Sequence, residues 1–74
     1  MKKYRVNYAY DEEVGMYMGI CLEFFGCSLY AETIEQLKRS MLNAVRVFAE
    51  DQTVSGKDIE FNEILLNQEC GLEL

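Results

Sequence analysis

The groups in this chain that can do chemistry are carboxylates and thiols. Thirteen Asp and Glu residues stand against seven Lys and Arg, with three cysteines and no histidine or proline. Without histidine, the commonest general base and the commonest neutral metal ligand are both missing. Ser-His-Asp and Cys-His nucleophilic sites are excluded, and so are zinc sites of mixed cysteine and histidine. What remains is phosphoryl chemistry by carboxylates around magnesium, which needs acids that converge on one point. Here the acids fall in separate segments, and Asp11 stands at the exit of an alternating run with no carboxylate in its middle. The chain therefore reads as a non-enzyme, with no catalytic residue, no cofactor and no metal site expected.

The thiols are Cys21, Cys27 and Cys70, an odd number without C-x-x-C spacing. Two readings stay open: reduced thiols packed as small apolar groups, or a Cys21–Cys27 disulfide. The start, Met1-Lys2-Lys3-Tyr4-Arg5, is basic but passes into alternation rather than an apolar stretch. The expectation is a cytoplasmic protein without a secretion signal. No apolar run approaches the roughly 20 residues that span a membrane.

Charge is unevenly placed. Between Asp11 and Glu35 every charged residue is acidic: Asp11, Glu12, Glu13, Glu23, Glu32 and Glu35. Basic residues gather at Lys2, Lys3 and Arg5, and again at Lys38, Arg39 and Arg46. A net charge of −6 opposes direct nucleic-acid binding, where phosphate neutralisation supplies most of the affinity. It suits a partner that is itself basic. Any single carboxylate, taken alone, reads first as plain solvation of a small domain.

The elements that must position these groups follow from periodicity. The chain has 74 residues and is 50% apolar, which fits one small domain over residues 1–68 with a tail at 69–74. Residues 4–10 alternate, with Tyr4, Val6, Tyr8 and Tyr10 on one side, and predict a strand. Residues 11–15 form an acidic turn ending in Gly15. Residues 16–22 are apolar in both phases and predict a strand, with Gly19 marking a bulge or a close backbone approach. The bend at 23–26 holds two phenylalanines, at least one of which should turn back into the core. Residues 27–31 alternate again and complete an antiparallel meander.

Thr33 then opens a helix, with Gln36 at capping-box spacing. Ile34, Leu37, Met41, Leu42, Val45 and Phe48 form one apolar stripe, with Ala44 beside it, which is read as the face that docks on the sheet. After a loop at 53–57, residues 58–64 predict a fourth strand. The result is an α+β fold in the order β-β-β-α-β: a three-stranded antiparallel meander, one amphipathic helix packed on it, and a fourth strand. In one phase assignment the uncovered face carries Arg5, Asn7, Tyr17, Cys21, Ser28 and Tyr30. Self-association is the default way for so small a domain to hide such a face.

From Tyr4 to Phe48 the chain resembles the HicB-like antitoxin family. The resemblance is carried by an ordered set of short pieces: Tyr4-Arg5-Val6-Asn7-Tyr8, the acidic turn ending in Gly15, Tyr17-Met18-Gly19-Ile20, Glu23-Phe24-Phe25-Gly26-Cys27 and Ala31-Glu32-Thr33-Ile34-Glu35-Gln36-Leu37. Leu22 and Phe25 stand where the family often has proline, and Ala31 stands where it often has glycine. The resemblance implies a partial ribonuclease-H-like fold and a small basic RNA-cleaving toxin as partner. Full members of the family usually carry a C-terminal helix-turn-helix or ribbon-helix-helix that binds operator DNA; none is expected here, because the residues after Ile64 do not read as one.

Two functions follow as expectations. The first is a toxin-binding domain that presents Asp11, Glu12, Glu13, Glu23 and Glu32 to a cationic site, with Tyr17 and Tyr30 as anchors. The second is a stand-alone oligomeric domain, a dimer by preference, with a regulatory or ligand-binding role and no toxin.

Overall fold

The computed structural model describes residues 3–64. Strands β1 (Tyr4–Asp11), β2 (Met16–Cys21) and β3 (Ser28–Ala31) lead into helix α1 (Ile34–Ala49), then a 3-10 turn at Gly56–Asp58 and strand β4 (Ile59–Glu63). The expected α+β order is observed, with each boundary within a residue or two of its predicted place. Leu65 and Leu66, which continue the fourth strand in the sequence reading, lie outside the described residues, as does the predicted tail at 69–74.

The first three strands form the meander: β1 pairs antiparallel with β2, and β2 with β3. The fourth does not extend it. It runs parallel to β1 on the opposite edge, giving the sheet order β3-β2-β1-β4. A parallel return needs a long connection, and α1 with the loop after it provides one. Arg46 ties that loop down: its Nε donates to the Val54 carbonyl at 2.8 Å, and Val54 itself is fully buried.

Register decides which side chains share a face. Tyr10 sits opposite Tyr17, Tyr8 opposite Gly19 and Val6 opposite Cys21. Gly19 lies directly beneath the helix, since a Cβ there would stand 3.0 Å from Leu37 Cδ1 and 3.2 Å from Met41 Cε. The helix side of the sheet therefore carries Tyr4, Val6, Tyr8, Tyr10, Tyr17, Gly19 and Cys21, with Ile59 and Phe61 from β4. The close approach expected at Gly19 is what the glycine provides, and the register through it shows no bulge.

This corrects the assignment of Tyr17 and Cys21 to the uncovered face. β2 is apolar in both phases, so alternation alone could not choose between them. The space that the helix takes above Gly19 chose. The uncovered face holds Arg5, Asn7, Ser28 and Tyr30 as expected, and also Ala9, Met16, Met18 and Ile20.

The core lies between α1 and the sheet. Val6, Leu37, Met41, Val45 and Val54 are its largest fully buried side chains, each adding about 1.5–3 kcal/mol by leaving water. Thr33 caps the helix by accepting from the Gln36 N–H at 3.1 Å. The Gln36 side chain answers one residue earlier than a capping box requires, accepting from the Glu32 N–H at 3.0 Å. At the other end Asp51 N–H donates to Arg46 O and Glu50 N–H to Val47 O, both at 3.1 Å. This is the pattern of a Schellman closure, with Glu50 in the left-handed region at φ 55°.

Of the two bend phenylalanines, Phe24 turns inward. It stacks on Tyr4 at 5.7 Å and meets Phe48 at 5.9 Å. Phe25 is fully exposed.

Candidate functional site: an acidic and aromatic end of the sheet

The strands run alternately, so the β1–β2 turn and the exit of β3 lie at one end of the sheet. The β2–β3 bend lies at the other, beside the start of β1. This sorts the seven residues singled out in the sequence. Asp11, Glu12, Glu13, Tyr17, Tyr30 and Glu32 come together at the first end. Glu23 does not. At about 3.3 Å per residue, the length of β1 puts it roughly 20 Å away.

The turn holds its acids in place through its own backbone. Asp11 accepts from the Gly15 N–H at 2.7 Å through its carbonyl and from the Glu13 N–H at 3.1 Å through Oδ1. Gly15 has a φ of 78°, which a side chain would disfavour. The second oxygen of Asp11 receives the Tyr30 hydroxyl at 3.4 Å, linking the turn to β3 across the uncovered face. Glu12, Glu13 and Glu32 are exposed. None of these four carboxylates pairs with a cation among the described residues, so their field at this end is uncompensated locally.

The tyrosines divide between the two faces. Tyr30 is exposed on the uncovered face. Tyr17 is half-buried on the helix side, edge-on to Tyr10 at 5.0 Å. Tyr10, read in the sequence only as part of a core strand, is 47% exposed and belongs to this end. The sequence signal for it was its place as the last aromatic before the acidic turn, where a strand runs out of cover.

Glu23 is committed elsewhere. It accepts from the Arg5 backbone N–H at 2.8 Å and from Arg5 Nε at 2.9 Å. The Arg5 amide, with help from its guanidinium, holds the Glu23 carboxyl below its ordinary range against the opposing effect of burial. Glu23 thus closes the β2–β3 bend onto β1.

The same bend holds Cys21 and Cys27 as buried free thiols, beside a shallow cavity of about 280 Å³ floored by the bend. Burial and the neighbouring Cys21 thiol push Cys27 up to about 11. A protonated, buried thiol is a poor nucleophile. Cys70 lies outside the described residues. Among the described residues no three acids or thiols converge as a metal-ligand set, and no helix is long and apolar enough to cross a membrane.

The uncovered face is apolar at its centre. Ala9 is buried between its neighbours, and Ile20, Leu22, Tyr30 and Phe25 are exposed large groups on that face or at its lower rim. From β2 this face presents Met16, Met18 and Ile20, where the expected phase put Tyr17 and Cys21.

Comparison with protein families, with curated proteins and with solved structures finds no match to this chain.

Proposed function

We propose that this chain is a non-enzymatic domain of HicB-like type that binds a small basic RNA-cleaving protein and covers its cationic site. The observation that carries the reading is the gathering of Asp11, Glu12, Glu13 and Glu32 at one end of the sheet, without an ion-pair partner among the described residues and beside Tyr10, Tyr17 and Tyr30. An RNA-cleaving site must attract phosphates, so it presents fixed positive charge. A surface with fixed carboxylates competes for that charge and speeds encounter by long-range attraction. Tyrosines beside the carboxylates supply the desolvated contacts that hold the complex. The ordered likeness to HicB-like antitoxins supports the same reading. The chain acts in the cytoplasm in this proposal, without contacting nucleic acid itself.

A second reading is favoured by a different surface. Met16, Met18, Ile20 and the exposed Phe25 make the uncovered face one that a second copy would hide, since large apolar patches on small domains mark association sites. In this reading the chain is a homodimeric regulatory or ligand-binding domain that needs no toxin.

The two are separated by one binding experiment. Any small basic protein encoded beside this chain's gene is titrated by calorimetry into the wild type and into Glu12→Lys/Glu13→Lys/Glu32→Lys. The first reading expects micromolar or tighter binding, weakened at least 100-fold by the triple reversal and unchanged by Glu23→Gln at the opposite end. Absence of binding, or binding indifferent to the reversal, overturns it. A concentration-dependent dimer abolished by Ile20→Lys supports the second.

A further inference from the structure

The helix does not lie over the middle of the sheet. It packs on β3 and β2, where the missing side chain of Gly19 lets Leu37 and Met41 come close. β4, joined by the crossover, is added on the far side of β1. Ile59 reaches the core and Phe61 packs against it, but the helix covers this edge only in part, and a groove of about 680 Å³ opens between α1 and β4. Its apolar floor is Leu42, Ile59 and Phe61, Gly56 lies at one end, and Lys38 and Arg39 stand on the helix side.

We propose that this groove binds a small amphipathic carboxylate, a molecule with a ring or short-chain apolar body and one anionic head. The volume falls within the roughly 300–1,000 Å³ typical of small-ligand sites. The floor matches the apolar body. The two cations match the head, and neither has an ion-pair partner among the described residues. Lys38 Nζ lies 5.5 Å from the centre of the Phe61 ring, so its charge is held over the floor rather than extended into water. Arg39 can take a carboxylate through two parallel N–H donors. Glu35, one turn earlier on the rim, leaves the site one net positive charge and selects against dianions. The groove's lining includes none of Asp11, Glu12, Glu13 and Glu32, so its occupancy does not depend on whether a basic partner exists.

The test is a titration of the full chain, followed by amide chemical shifts, with 2-naphthoate as probe and 2-naphthylmethanol as its neutral counterpart. The expected result is saturable one-to-one binding, with shifts centred on residues 38–42 and 56–61. The alcohol should bind at least tenfold more weakly. Lys38→Glu/Arg39→Glu should weaken naphthoate at least tenfold. Gly56→Trp should block it, because the position of a Gly56 Cβ has no atom within 4 Å and a side chain there can be accommodated without disturbing the core. Both variants are at exposed positions, and far-ultraviolet circular dichroism checks that they fold. Equal binding of acid and alcohol overturns the proposal, as do shifts centred on Met16–Ile20 or naphthoate binding that survives both variants. It is also overturned if the groove amides report a second copy, or residues 65–74 of the same chain, already seated there.

Discussion

Gly19 sets where the helix sits, and its replacement tests that packing directly. A Cβ at this position would lie 3.0 Å from Leu37 Cδ1 and 3.2 Å from Met41 Cε. Carbon atoms rest comfortably at about 3.5–4.0 Å, so alanine requires both side chains to yield by several tenths of an ångström. Leu37 and Met41 are each 0% exposed, so any movement is passed on to packed neighbours. Removing a glycine from a strand interior returns about 0.5–1 kcal/mol of backbone entropy. Overpacking costs about 1–3 kcal/mol. The balance for Gly19→Ala is a loss of about 1 kcal/mol, seen as a fall in Tm of roughly 4–8 °C for a domain of this size. Gly19→Val adds two more methyl groups against the same atoms and should lose about 3 kcal/mol.

Urea unfolding followed by circular dichroism measures both variants, and a cycle with Leu37→Ala isolates the contact. Leu37→Ala alone should cost about 2–5 kcal/mol. In that background Gly19→Ala should become neutral or slightly stabilising, a coupling of about 1–2 kcal/mol. Gly19→Ala that stabilises the wild type, or a cycle without coupling, would show that the helix does not rest on this glycine. The explanation of the off-centre helix would then fail with it.

Four further outcomes are expected. Glu50→Gly should stabilise by about 0.5–1 kcal/mol in thermal melts, because an L-residue in the left-handed region costs about 1–2 kcal/mol and the change also removes an acid from the helix C-terminus. Thr33→Ala should lose about 1 kcal/mol and Thr33→Asp should retain it, since both Thr and Asp can accept from the Gln36 N–H. Glu23→Gln should cost about 0.5–1 kcal/mol near neutral pH. The Glu23 carboxyl is held below its ordinary 4.5 in the fold, so its contribution is full above that value and disappears as pH falls through the folded pKa; urea midpoints of wild type and variant should converge in acid. Cys27, raised from 9.0 to about 11, should resist iodoacetamide at pH 8 in the folded chain and react in urea, as read by mass spectrometry. Because the folded thiol keeps its proton longer than the unfolded one, stability should fall as pH rises through the interval from 9.0 to about 11.

Much of the architecture was legible in the sequence because it follows from local rules. Alternation at residues 4–10, the Thr33 cap and the apolar stripe from Ile34 to Phe48 each depend on nearby residues alone. The inward turn of one bend phenylalanine was legible too, since a ring has few places to go in so small a domain. The site was only half legible. The sequence displayed the acids, but Glu23 looked like the others until the fold brought Arg5 beside it, 18 positions away in the chain. Tyr17 looked like a surface residue because β2 carries apolar groups in both phases.

By itself, then, the sequence determined the elements, their order, the Thr33 cap and the exclusion of histidine chemistry. These are set by residue type and by periods of two and 3.6, which need no knowledge of distant neighbours. The tertiary structure alone decided which face of β2 is buried, where β4 lies and which acids meet. Those are matters of register and crossover, fixed by contacts between residues far apart in the chain. The position of α1 over Gly19 and of β4 beyond β1 together leave a groove that no segment of the sequence contains.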